Sequence, residues 1–127
     1  MLVQGGVAQA QVQNGTQVYS ATDWGAQPRT AIGLTNQGDV LLLTLDGRTS
    51  AGAGMSTPDL ADWLGEQYDL SGALNLDGGG STTFSVNDCW VGADYGALGA
   101  RAFNAPSDNE QSDERGARGV SSGIYIQ

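Results

Sequence analysis

Apolar positions are sparse near the start of the chain and become organised after Arg29. Thr30-Ala31-Ile32-Gly33-Leu34 predicts a strand, and Asn36-Gln37-Gly38-Asp39 predicts a turn. Val40 to Leu45 is apolar except at Thr44, which predicts a second strand buried on both faces. The two strands form a hairpin that ends in Asp46-Gly47-Arg48, and a loop of small residues runs from Thr49 to Gly54. Upstream, Met1-Leu2-Val3 predicts a short strand stopped by Gly5-Gly6. Val7 to Gln13 alternates apolar and polar positions before the turn signal Asn14-Gly15.

A helix is predicted from about residue 57 to 68. Thr57 suits the N-cap, Pro58 the first helical position, and Asp59 the positive helix end. Leu60, Trp63, Leu64 and Tyr68 recur on one stripe and belong to the core. Ser71-Gly72 is expected to break the chain. Ala73-Leu74-Asn75-Leu76-Asp77 then reads as a short buried strand that runs into Gly78-Gly79-Gly80-Ser81-Thr82-Thr83. Phe84 to Val86 resumes extended structure, and Asn87-Asp88 turns it toward Cys89-Trp90-Val91. Residues 92–118 form a long polar loop, and Gly123 to Ile126 a closing strand. The pattern is that of an α+β fold: a mixed, mainly antiparallel sheet, one main helix over about 57–68, and a long late loop. No internal repeat or interdomain linker is visible, so residues 1–127 read as one domain.

Composition narrows the chemistry. Against 14 acidic residues stand five arginines and no lysine or histidine, for a formal charge of -9. Such a chain lacks the clustered cations that a nucleic-acid backbone or an anionic membrane surface requires. No apolar stretch approaches the roughly 18 residues of a membrane span, and no signal peptide is visible after Met1, so the compartment is left open. The lone Cys89 excludes an intramolecular disulfide framework. Without histidine there is no imidazole base, and any metal site would be oxygen-rich. Asp108, Glu110, Asp113 and Glu114 match no calcium-loop spacing and read as a solvated acidic loop, so neither a metal nor another cofactor is expected.

The most informative segment is Asn75-Leu76-Asp77-Gly78-Gly79-Gly80-Ser81-Thr82. A buried strand delivers a carboxylate, and glycines then expose backbone N–H groups that can form an anion-binding nest. Ser81 and Thr82 add hydroxyls. The plainer reading is a tight turn between strands, but three consecutive glycines weaken a turn unless something needs the space. Asp46-Gly47-Arg48 also follows a strand, where it is either ligand-facing or a turn with a local ion pair. Arg29 sits at a strand start and carries the forked donor suited to phosphate, or is a surface charge. Trp24 and Trp90 read as packing residues.

Taken in order, Pro28-Arg29-Thr30-Ala31-Ile32-Gly33, Asp46-Gly47-Arg48, Thr57-Pro58-Asp59-Leu60-Ala61 and Ala73 to Thr82 form a set that resembles the phosphodiester glycosidase family. The resemblance covers roughly residues 28–126. Asn104-Ala105-Pro106-Ser107-Asp108 and Glu114-Arg115 resemble that family's late Asn-x-Pro loop and its arginine. An upstream Asn-Gly-Gly-Phe-type element has no counterpart, so the chain reads as the C-terminal part of such a domain. Bacterial and phage proteins share the domain. The resemblance implies hydrolysis of a sugar-1-phosphodiester at the glycosidic bond. In that scheme Asp77 and Asp46 are the carboxylate pair. Arg29, Thr30, Arg48, Asn75, Gly78, Gly79, Gly80, Ser81, Thr82 and Arg115 bind the glycan or sugar-phosphate ligand. Which aspartate is acid, base or nucleophile stays open. The alternative is a non-catalytic glycan- or phosphate-binding module of a phage or cell surface, or one half of a split enzyme. An exposed sheet face would then call for self-association or an upstream complementing chain.

Overall fold

Strand β5, Arg29–Thr35, is flanked by antiparallel partners on both sides and forms the spine of the sheet. The computed structural model describes residues 1–8, 12–13, 16–17, 25–50, 52–87, 100–102, 104, 107 and 123–124. Before the spine come β1 (Val3–Gln4), β2 (Val7–Ala8), β3 (Val12–Gln13) and β4 (Thr16–Gln17). After it come β6 (Val40–Leu45), the helix α1 (Thr57–Gln67), β7 (Leu70–Asn75), β8 (Ser85–Asn87) and β9 (Ala100–Ala102). The main sheet has five strands in the order β2-β1-β7-β5-β6. Two small pairs, β3-β4 and β8-β9, lie outside it. Every strand pairing among the described residues is antiparallel. Among the described residues the fold is α+β, with a mainly antiparallel sheet and one α-helix.

The core lies between the helix and one face of the sheet. Leu60, Ala61 and Leu64 of α1 pack with Leu2, Val3, Ala31, Leu70 and Ala73, and all are buried. Leu41, Leu43, Met55 and Trp63 close the edges. Burying a leucine side chain completely stabilises a fold by about 1.5–3 kcal/mol, so these few contacts dominate. Trp63 is half-buried and meets Tyr68 edge-on, with ring centroids 5.8 Å apart. Tyr68 itself has left the helix and serves as its C-cap.

Several elements differ from the sequence-based expectation. The N-cap is Ser56, one residue before Thr57: its hydroxyl oxygen accepts the Asp59 N–H at 3.2 Å and its own proton goes to Asp59 Oδ2 at 2.5 Å. Thr57 is already helical. Ser71-Gly72 does not break the chain but lies inside β7, because pairing with both β1 and β5 overrides the local turn preference. Ser71 also donates its hydroxyl to the Leu34 carbonyl at 3.0 Å. β6 is an edge strand of the main sheet. Val40 is 60 % exposed and the rest of the strand is half-buried, which corrects the expectation of burial on both faces. A continuous apolar run cannot say whether its outer face is covered.

The side of the sheet opposite α1 carries a shallow groove lined by Met1, Ile32, Leu34 and Leu74. The late segment also differs: Ala100–Ala102 pairs with Ser85–Asn87 instead of continuing as loop. Gly123 and Ile124 belong to no strand. The expected Asn14-Gly15 turn, Trp24, the Cys89-Trp90-Val91 stretch and most of the late loop lie outside the described residues. Among the described residues no helix is long and apolar enough to cross a membrane.

The Ser56 cap and the loop leading to it make two predictions. Ser56→Ala removes the oxygen that holds the first turn and should cost about 1 kcal/mol, read as a lowered melting temperature. Gly54 has φ +95° and its α-hydrogen faces the Gln27 carbonyl, where a Cβ would come within 2.2 Å of the oxygen. Gly54→Ala should therefore destabilise by on the order of 3 kcal/mol, and chemical denaturation should show a clearly lower midpoint.

Candidate functional site

The start of β5 and the ends of β6 and β7 meet at one end of the sheet. The register sets this: Arg29 lies opposite Leu45, and Ala31 lies between Leu43 and Asn75. Asp46 and Arg48 thus leave β6, and Asp77 and the glycines leave β7, beside the same stretch Pro28-Arg29-Thr30. Two backbone bonds hold the second exit. Leu76 N–H donates to the Thr30 carbonyl at 2.8 Å, and Gly79 N–H to the Pro28 carbonyl at 2.9 Å.

The glycine run forms a single tight turn. Residues Gly79–Ser81 are a 3-10 turn, with the Ser81 and Thr82 N–H groups donating to the Gly78 and Gly79 carbonyls. Gly79 has φ +59°, a conformation that side chains with a Cβ resist. The N–H groups of Gly79, Ser81 and Thr82 are thereby engaged within the chain. Those of Gly78 and Gly80 have no hydrogen-bond partner among the described residues. The open nest expected from the sequence is narrower than three consecutive glycines imply.

Arg48 lies over this turn. A Cβ built on Gly79 would stand 3.4 Å from Arg48 Nη2 and 3.7 Å from the guanidinium carbon, so only glycine leaves that seat open without contact. Arg48 itself has φ 55°, the one described non-glycine residue with a positive φ. Its N–H donates to the Ala53 carbonyl at 3.2 Å and its Nε to Gln27 Oε1 at 2.7 Å. Such left-handed strain at a charged, exposed side chain is a feature of functional sites. Arg29 is different. It is buried, and its guanidinium donates to the carbonyls of Met55 (Nε, 2.8 Å) and Gly25 (Nη2, 2.9 Å). These bonds tie the loop before the strand to the loop before the helix.

The carboxylates also differ. Asp77 is exposed, and no hydrogen bond to its side chain occurs among the described residues. Asp46 is half-buried, and its Oδ1 accepts from Asn104 Nδ2 at 3.0 Å. Thr82 is fully buried, and its hydroxyl accepts from Thr30 Oγ1 at 3.3 Å. Asn75 Oδ1 and Thr83 Oγ1 are buried with no hydrogen-bond partner among the described residues. Unmet buried acceptors are costly, and a ligand hydroxyl is one group that could satisfy them. Among the described residues no three His, Cys, Asp or Glu side chains group as a metal site would need.

The structure thus gathers Thr30, Asp46, Arg48, Asn75, Asp77, Gly78, Gly79, Gly80, Ser81 and Thr82 at one end of the sheet. Arg29 stands beside them, turned to backbone carbonyls. Arg115 lies outside the described residues. Asn104 carries three of the site's hydrogen bonds, yet the sequence assigned it no role beyond membership of an Asn-x-Pro stretch. Nothing local marks it, because its partners are 20 to 58 residues away.

Comparison with known proteins bears on what such a site is for. The mouse N-acetylglucosamine-1-phosphodiester alpha-N-acetylglucosaminidase is 42% identical over 59 residues, which is 46% of this chain and 11% of that protein. The human protein of the same name is 44% identical over 59 residues, with the same coverage. The chain therefore spans only about a tenth of these relatives' length. Among solved structures, the catalytic domain of the zebrafish enzyme, auto-inhibited by its pro-peptide, aligns at 39% identity with a TM-score of 0.42. That alignment covers 46% of this chain and 19% of the other. A hypothetical protein from Synechocystis aligns at 26% identity with a TM-score of 0.48, over 65% of this chain and 15% of the other. The sequence profile named phosphodiester glycosidase matches residues 1–127, the whole chain, and the chain belongs to that family.

Proposed function

We propose that this chain carries a site for hydrolysis of a sugar-1-phosphodiester at the glycosidic bond. The observation that carries the reading is the seating of the Arg48 guanidinium against Gly79, between two strand exits that each bring an aspartate. Family membership supports a phosphodiester-linked sugar as the substrate class. The residues supply a workable chemistry.

Arg48 binds the phosphodiester by charge-assisted hydrogen bonds, for which a forked cation is well suited. The N–H groups of Gly78 and Gly80, with Ser81, take further phosphate or sugar oxygens. Asn75, whose Oδ1 has no hydrogen-bond partner among the described residues, accepts from a sugar hydroxyl. Asp77, exposed at the end of β7, meets the anomeric centre. Asp46, held from behind, is the second carboxylate of the pair that glycoside hydrolysis commonly uses. In the reaction a water oxygen ultimately bonds to the anomeric carbon, and the bond from that carbon to the phosphate oxygen breaks. The electron pair leaves with the phosphomonoester, and the water's proton passes to a carboxylate. A phosphate leaving group needs little protonation, so a single carboxylate acting as base or nucleophile suffices for the difficult step. Arg29, engaged with two carbonyls, positions the strand and is not assigned to the phosphate.

Two variants test this with an N-acetylglucosamine-1-phosphodiester as substrate and a nucleotide sugar as control. Asp77→Asn should lower turnover at least about 100-fold with an unchanged melting temperature, because the carboxylate is exposed. Turnover that survives the change removes Asp77 from the reaction. Binding of the phosphodiester without any sugar release by wild type would instead identify a non-catalytic glycan-phosphate module. Gly79→Ala inserts a methyl group against Arg48 and forces alanine to a positive φ, so affinity for a sugar-1-phosphate should fall about tenfold or more. Calorimetry on the folded variant reads this directly, and an unaltered affinity would detach Arg48 from the ligand.

A further inference from the structure

We infer that Asn104 is a positioning residue that holds Asp46 against the segment following the glycine turn. Its side chain is engaged at both ends. One Nδ2 hydrogen goes to Asp46 Oδ1 at 3.0 Å, and Nδ2 also donates to the Thr82 carbonyl at 2.8 Å. Its Oδ1 accepts the Phe84 N–H at 2.7 Å. The amide has two donors and one acceptor group, and here each has a partner. A carboxylate of the same shape would lose both donors and set a negative charge against Asp46 and against a carbonyl.

The bonds join parts that are far apart in sequence. Asp46 directly follows β6, Thr82 and Phe84 follow the turn after β7, and Asn104 comes just after β9. Thr82 in turn receives the hydroxyl of Thr30, at the start of β5. A single side chain therefore ties the exit of β6 to the exit of β7 and, through Thr82, to the spine. With Oδ1 pinned, rotation of the Asp46 carboxylate is restrained. For a group that acts on a substrate held at the glycine turn, restraint of this kind matters, since a misplacement of about 1 Å can cost about 100-fold in rate.

This role rests on the hydrolytic reading for its effect on rate but not for the contact itself, and the two are separated by two measurements on the full chain. The first is turnover of the N-acetylglucosamine-1-phosphodiester by wild type, Asn104→Ala, Asp46→Ala and the double variant. Asn104→Ala should lower kcat about 10- to 100-fold with KM changed by less than about threefold, and should cause no further loss in the Asp46→Ala background. Should Asn104→Ala not fold, Asn104→Asp keeps the acceptor for Phe84, removes both donors, and should show the same kcat loss. Losses that simply add in the double variant would overturn the inference and leave Asn104 a stabilising residue only. The second measurement is the exchange of the Asn104 side-chain NH2 protons by nitrogen-15 NMR. Slow exchange that is lost in Asp46→Ala supports the contact, even if wild type proves inactive and the hydrolytic reading falls. Free exchange in wild type overturns it.

Discussion

The register of β5 against its two neighbours is the constraint on which the rest depends. Because β5 pairs on both sides, its first residues are bordered by the end of β6 on one flank and the end of β7 on the other. An antiparallel sheet places these three termini together by geometry alone. A slip of one residue would turn every side chain to the opposite face. Ala31 and Ala73 would then leave the core they share with α1. The small side chains at those positions let the helix lie close, and the leucines of α1 fill the space. Core packing and site placement are thus two consequences of one hydrogen-bonded ladder.

Onto that frame the site is assembled by backbone contacts more than by side chains. The Pro28 carbonyl receives the Gly79 N–H, and the Thr30 carbonyl receives the Leu76 N–H. Arg29 contributes from below, where its buried guanidinium binds two loop carbonyls. Burying an arginine is costly unless its donors are met, so this residue organises the neighbourhood only because the loops before β5 and α1 come to it. Arg48 shows the opposite arrangement. Its backbone is held in a left-handed conformation and its charged end is left exposed beside glycine. Two arginines 19 positions apart therefore differ in setting, one buried against loop carbonyls and one exposed over the glycine turn.

Membership of the phosphodiester glycosidase family gives this arrangement a chemical context. A phosphodiester is compact and anionic, and its sugar is rich in hydroxyl groups. In the proposed function, an exposed cation, a glycine turn, acceptors that are unmet among the described residues and two aspartates would answer both halves. The strong overall negative charge adds a constraint: under the proposed function, attraction for phosphate would have to be local, from Arg48 and from N–H groups, since the long-range field of the chain opposes it.

Much of this was legible in the residues themselves. The strand at Thr30–Leu34, the turn at Asn36–Asp39 and the helix near residues 57–68 follow from periodicity and from glycine and proline signals, which act over a few residues. The run from Asn75 to Thr82 and the Asp46-Gly47-Arg48 turn were legible as strand exits, and the register of the sheet brings them to the same end. Tertiary structure alone decided the rest. β6 became an edge strand because neighbours, not composition, determine which faces are covered. Ser71-Gly72 was drawn into β7 because two partner strands outweigh a local preference. Arg29 turned toward carbonyls and Asn104 toward Asp46 because those partners lie across the fold, at separations no local pattern records. A sequence shows which groups a chain can offer. Only the folded backbone decides which of them are already engaged with one another, and which remain for a ligand.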